Sequence, residues 1–203
     1  MYLTYTCRNC QKTSKTFAIV VASSSPGQSS TVIKVGEVPP FGPPTPGRVI
    51  SLIGPDREFF LKGRRAENLG LGIGAFVYYR RVVENQKGRL IEEIARVASR
   101  LGTDVETLKR FESAKNETQF SKAIDDIKGA IPQSLLIQGH NPLTLLHSAL
   151  SEGLHAQSDE ECLEIATSIR VVLTELAERI SQALKDEAEL RQAVNRLLNP
   201  PSI

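Results

Sequence analysis

The sequence lacks a second Cys-x-x-Cys pair to match the one at Cys7 and Cys10, and its only other cysteine is Cys162. A structural zinc site needs four ligands, usually supplied as two such pairs. The sequence therefore predicts either a zinc ribbon whose first pair preceded Met1 in a longer chain, or a ribbon fold without metal. If zinc binds, two further ligands must come from outside this chain. A redox role fits less well, because redox Cys-x-x-Cys motifs open a helix and this pair joins two strands.

Long apolar runs are also missing. No stretch of 18 apolar residues is present, so we expect no membrane span. The N-terminus has no charged segment followed by an apolar segment, as a signal peptide would. Three cysteines in two unrelated places do not form a disulfide framework. The sequence therefore predicts a cytoplasmic protein.

Net charge is low, at +2, but it is unevenly distributed. Residues 57–89 hold eight basic and three acidic residues, and residues 150–203 hold ten acidic and five basic residues. Solvated helix faces explain such a pattern most simply. The basic region is also suited to contact nucleic acid, and the two regions together are suited to dock on a partner protein.

Three zones differ in their residue pattern. Residues 1–38 alternate as strands of a small antiparallel, zinc-ribbon-like unit that is incomplete in this chain. Residues 39–54 are a proline-rich linker, which favours an extended spacer over a ligand for an aromatic groove. Residues 55–203 predict an α-helical bundle. The fold class is therefore α+β and mainly α.

Apolar spacing and capping residues place the helices. Phe76, Val83, Leu90 and Val97 recur every seven residues, which predicts one long helix from Leu71 to Leu101 and a homodimer that forms through it. Shorter helices are predicted over 104–115 and 118–129, and Asn141-Pro142 predicts another helix start. The segment Ser158-Asp159-Glu160-Glu161 predicts a capping box for a helix to Leu184, followed by a last helix over Glu187–Leu198.

Several catalytic signatures are absent. The sequence has no Ser-His-Asp set and no phosphate-binding glycine loop, and the Gly70–Gly74 run lacks a preceding strand. These glycines predict a helix start or a close helix approach. His147 lies on an apolar helix face and predicts a half-buried side chain. Cys162 predicts a small buried residue, although the helix dipole could lower its pKa.

The basic region supplies the candidate partner-binding residues. Tyrosines and arginines adjoin in Tyr78-Tyr79-Arg80-Arg81, a combination suited to phosphates and bases, although Arg80 could simply pair with Glu84. His155 is the least constrained histidine. The candidate residues for contact with nucleic acid or a partner protein are Arg64, Arg65, Tyr79, Arg80, Arg81 and His155.

The segments 72–84, 150–155 and 158–162 resemble a group of uncharacterised bacterial proteins that join a zinc ribbon to a helical domain of unknown function. That domain is distantly similar to the HEPN helical bundles, some of which are ribonucleases in defence systems. The resemblance implies a HEPN-like ribonuclease or nucleotide-binding component as one alternative. The ribonucleases use an arginine and a histidine with four to six residues between them, and no arginine lies five to seven residues before any histidine here. We therefore expect a non-catalytic interaction or accessory module that binds a protein or nucleic acid.

Overall fold

The computed structural model describes residues 1–23, 30–38, 45–151 and 157–198. Three strands come first: β1 (Tyr2–Thr6), β2 (Ser14–Ser23) and β3 (Ser30–Val38). They are followed by helices α1 (Gly47–Ile53), α2 (Arg57–Asn68), α3 (Gly72–Asn85), α4 (Lys87–Arg100), α5 (Val105–Asn116), α6 (Phe120–Ile127), α7 (Pro142–Ser151) and α8 (Asp159–Leu198). The predicted α+β, mainly α fold class is confirmed. Within these residues, no helix is both long and apolar enough to cross a membrane.

The strands form one antiparallel sheet in the order β1-β2-β3. Leu3 pairs with Phe17 and Val21 pairs with Val32, and the β2–β3 register shifts between Ala18 and Ile19. No described residue of this sheet is buried. The predicted Ser/Gly/Pro turn at 24–29 and most of the prolines of the predicted linker, at 39–44, lie outside the described residues.

The buried apolar core is built from residues between Val49 and Ile180. It includes three residues of α1, namely Val49, Leu52 and Ile53, in the stretch that the sequence assigned to the linker. Helix packing therefore begins earlier in the chain than the pattern suggested. The division into two domains joined by a linker stays a prediction.

The single helix predicted from Leu71 to Leu101 is wrong. The chain forms two helices, α3 and α4, which meet at Gln86, a residue with ψ 11°. Gly88 follows the break, and a Cβ there would lie 3.3 Å from the Lys115 carbonyl oxygen, so α5 approaches closely at this point. Lys87 donates to the carbonyl of Thr118 at 3.1 Å. Both helices bury their share of the apolar stripe, which is why its period could not reveal the break.

The C-terminal region contains one helix where the sequence predicted two. The capping box is confirmed: Ser158 N–H donates to Glu161 Oε2 at 2.7 Å, and Glu161 N–H donates to Ser158 Oγ at 3.2 Å. The helix then continues to Leu198. An ion pair between Arg191 and Glu187, 2.7 Å apart, stabilises the stretch where the sequence predicted a new start.

Candidate functional site

The structure separates the sequence-predicted site residues into an inner and an outer set. Arg64 and Tyr79 are buried, whereas Arg65 and Arg81 are exposed. Arg80 pairs with Glu84 at 2.8 Å, as the simpler interpretation predicted. His155 lies outside the described residues. The predicted residues therefore do not converge on one cavity.

The inner set surrounds Glu67, which sequence reasoning missed. The Glu67 carboxylate accepts hydrogen bonds from the Tyr79 hydroxyl at 2.6 Å, from Arg170 Nε at 2.8 and 2.9 Å, and from the Thr167 hydroxyl at 3.1 Å. Arg64 Nη1 also donates to it at 3.3 Å. We call these five residues the Glu67 cluster. It joins α2, α3 and α8 through one carboxylate.

The Glu67 cluster fixes the protonation of its members. Burial acts to raise the pKa of Glu67, but the hydrogen bonds from Tyr79 and Arg170 and the nearby guanidinium charges lower it overall. Burial and the hydrogen bond to Glu67 raise the pKa of Tyr79. Glu67 is therefore a carboxylate at neutral pH, and Tyr79 is a neutral donor that positions it.

A close crossing of α2 and α3 positions Tyr79. A Cβ at Gly63 would lie 2.6 Å from Tyr79 Cε1, so only glycine leaves room for this ring. Phe60 also packs against this ring, with the two ring centroids 5.2 Å apart. The crossing directs the Tyr79 hydroxyl toward Glu67.

The outer set, Arg65 and Arg81, belongs to a cationic surface that α2 forms with the adjoining α3. We call Arg57, Lys62, Arg65 and Arg81 the α2 basic face. The first three line an open depression of about 500 Å³, together with Glu58, Thr45, Ile50 and Leu61. Arg81 lies over the Phe59 ring, with its guanidinium carbon 4.6 Å from the centroid, and Lys62 Nζ lies 5.7 Å from the same centroid.

Two members of this face, Arg57 and Lys62, were missed as site residues. The signal for Lys62 was present in the spacing of α2, since Glu58, Lys62 and Arg65 recur at helical intervals and share one side. The contribution of Arg81, from α3, depends on the packing of Tyr78 against Phe59, whose rings stack 6.4 Å apart. That contact brings the two helices' cations onto one surface.

The Cys-x-x-Cys pair lies on a tight turn between β1 and β2. Cys7 N–H donates to the Thr13 carbonyl at 2.7 Å, Gln11 N–H donates to the Cys7 carbonyl at 2.9 Å, and Gln11 has φ 53°. Cys10 Sγ lies 3.4 Å from Thr13 Oγ1 as a hydrogen-bond partner, and this contact and hydrogen bonds with the backbone of Lys12 and Thr13 lower the pKa of Cys10 to about 6. Both thiols are exposed. Among the described residues, no group of three or more potential metal ligands is found.

The remaining candidate residues are packed into the fold. His147 is half-buried, as predicted, and its ring meets Phe120 edge-on with centroids 5.5 Å apart. Cys162 is buried, as predicted, and burial and the nearby carboxylates of Asp159 and Glu161 raise the pKa of its thiol. His140 is exposed and its backbone pairs with Ile137.

Comparisons with protein-family models, with the sequences of curated proteins and with solved structures found no match to this chain.

Proposed function

We propose that the protein is a non-catalytic module that binds nucleic acid through the α2 basic face. The observation that carries this proposal is a group of four cations: Arg57, Lys62 and Arg65 line an open depression, and Lys62 and Arg81 lie over the Phe59 ring. Among the described residues, Glu58 supplies the one carboxylate in the lining of the depression. Several cations on one surface attract the phosphate backbone, and arginines beside aromatic rings also stack on unpaired bases. Relatedness to ribbon-containing bacterial proteins with a HEPN-like domain stays part of the proposal.

The first prediction compares two triple variants with equal loss of charge. Changing Arg57, Lys62 and Arg81 to glutamine should weaken binding of a single-stranded oligonucleotide roughly hundredfold at about 0.1 M salt, because three phosphate contacts are lost. The matched control changes Lys109, Lys122 and Lys128, which are exposed on α5 and α6 or just after α6. Fluorescence anisotropy measures both affinities. Equal weakening in the two variants would show that only net charge matters and would contradict this site.

We propose that zinc, if bound, is held between two chains that each supply Cys7 and Cys10. The turn supports this, since it exposes both thiols and directs backbone amides to Cys10. The metal would supply structural cross-linking, with four thiolates completing its shell. Elemental analysis should give one zinc per two chains, lost on changing Cys7 to serine. One zinc per monomer at low concentration would require a ligand from elsewhere in the chain, with His140 or His155 the first candidates.

We also propose a cytoplasmic location for the protein. The three free cysteines support this location, and recovery of the protein from an oxidising compartment would contradict it.

The homodimer was predicted through a single helix from Leu71 to Leu101, which the chain does not form. We infer that a homodimer would instead use α8, whose apolar heptad stripe extends beyond the core. Its first half is buried, from Cys162 to Ile180, and the same stripe continues through Leu190, Val194 and Leu197, which are 60%, 43% and 82% exposed. A second copy running antiparallel, with Leu190 opposite the partner's Val194, would place the acidic turn 186–189 beside the partner's Arg196.

The second prediction tests this contact between the α8 helices of two copies, which we call the α8 seam. Changing Leu190 to glutamate should convert a dimer into a monomer in analytical ultracentrifugation, because the charge would be buried opposite an apolar side chain. Gln192 lies on the outward side of the same turn, so Gln192→Glu is the matched control and should leave the dimer intact. A wild-type chain that is monomeric at high concentration, or equal effects of both changes, would refute the seam.

A further inference from the structure

A small cavity adjoins the Glu67 cluster. It measures about 170 Å³ and is lined by Thr45, Pro46, Phe60, Arg64, Arg170 and Thr174. Pockets for whole small molecules usually span roughly 300–1,000 Å³, so this cavity is too small for a nucleoside but large enough for a single oxyanion. Two of its six lining residues are arginines, and none is acidic.

Arg170 is only partly used by the protein. Its Nε donates to both oxygens of Glu67, at 2.8 and 2.9 Å, and Glu67 accepts from three further side chains. Among the described residues, these are the side-chain hydrogen bonds of Arg170, and none is found for Nη1 or Nη2. The side chain is 25% exposed, so part of it is accessible to a ligand from solvent. The Nη donors of a planar guanidinium group are arranged so that they can bind two oxygens of one phosphate. We call this arrangement the guanidinium fork.

Charge favours the same ligand. Glu67 is the carboxylate of the cluster, and it is shared by two guanidinium groups, those of Arg64 and Arg170. Both guanidinium groups line the cavity, whereas the carboxylate that they share is not part of its lining. An anion in the cavity would therefore be attracted by two positive charges.

We propose that this cavity binds a phosphate group through the Nη atoms of Arg170, with Arg64 beside it. The cavity shares Thr45 with the depression of the α2 basic face, so a phosphate of a bound nucleic acid and a free phosphate are both possible sources. The assignment to nucleic acid rests on the proposed function, whereas the phosphate site itself does not.

Inorganic phosphate tests the site directly. Phosphate should raise the melting temperature of the full chain above that in chloride of the same ionic strength. Changing Arg170 to lysine keeps a cation for Glu67 but removes the fork, and the apparent phosphate affinity should fall roughly tenfold or more. Arg179→Lys is the matched control, because Arg179 lies on the same helix, pairs with Glu175 at 2.7 Å and does not line the cavity.

A second variant keeps the test decisive if Arg170→Lys does not fold. Thr45→Phe fills the cavity and leaves every residue of the Glu67 cluster unsubstituted, and it should also abolish the phosphate shift. Phosphate and chloride giving equal melting temperatures, or a shift that survives both variants, would overturn the proposal. Oligonucleotides with and without a terminal phosphate then separate the sources. A rise in melting temperature with phosphate but no nucleic-acid binding would contradict the proposed function alone. Nucleic-acid binding with no such rise would contradict this inference alone.

Discussion

Changing Glu67 to alanine is expected to lower the free energy of unfolding by about 3–5 kcal/mol, the usual cost of removing one partner from a buried ion pair. The Glu67 side chain is 9% exposed and accepts hydrogen bonds from α2, α3 and α8. Without it, Arg64, Arg170 and the Tyr79 hydroxyl lose their common acceptor. Urea denaturation followed by circular dichroism measures the loss.

Glu84→Ala is the control for Glu67→Ala. Glu84 also pairs with an arginine, but both side chains are at least 40% exposed, so the expected loss of unfolding free energy is within about 0.5 kcal/mol.

Acid should reproduce part of the loss of stability expected for Glu67→Ala. The pKa of Glu67 is lowered by folding, so its contribution is complete above the unfolded value of about 4.3 and is lost as pH falls through the folded value. Glu67→Gln should make the free energy of unfolding less dependent on pH in this acidic range. The same pH dependence in the variant and in the wild type would contradict the role of the Glu67 cluster.

Changing Gly72 to alanine should destabilise the bundle by about 3 kcal/mol or more, at the upper end of the usual cost of overpacking. A Cβ there would lie 1.8 Å from the Asp159 carbonyl oxygen and 2.5 Å from the Leu163 amide nitrogen, both in the backbone of α8. Separating the helices to make room would also remove two bonds, since the Asp159 carboxylate accepts from the Gly72 and Ile73 amides at 2.9 and 2.8 Å.

Gly74 provides the matched control for Gly72. It lies on the same helix, and a Cβ there would lie 3.5 Å from Ala66 Cβ, an ordinary contact. Gly74→Ala should therefore leave stability unchanged or raise it by up to about 1 kcal/mol through helix propensity. Thermal melts of the two variants measure the difference. Equal stability of the two would mean that α3 and α8 do not cross closely.

Local features of the fold were predictable from the sequence, because their partners lie within a few residues. The Ser158–Glu161 box is one example, and the Asn141 cap, which accepts from the Leu143 amide at 2.9 Å, is another. The Glu67 cluster was not predictable in this way, since Arg170 lies 103 residues further along the chain. Asp159 also has local and distant roles: it was predicted in the first turn of α8, but its caps on α3 depend on tertiary packing.

The candidate site was predicted only in part for the same reason. The charge of residues 57–89 indicated a basic surface, but charge alone could not show which arginines point outward. Arg64 and Tyr79 turn inward because Glu67 lies beneath them, whereas Arg81 faces outward over Phe59. The direction of each side chain is set by contacts between helices, and these appear only when the helices are packed together.

The salt dependence of oligonucleotide binding tests the proposed function most directly. Suppose that the four cations of the α2 basic face each neutralise one phosphate of a single strand. A plot of the logarithm of the association constant against the logarithm of salt concentration should then have a slope of about −3. The Arg57, Lys62 and Arg81 triple variant should give a slope of about −1, and the Lys109, Lys122 and Lys128 control should keep the wild-type slope. A wild-type slope near zero, or the same slope in the wild type and the α2 variant, would contradict binding through this face.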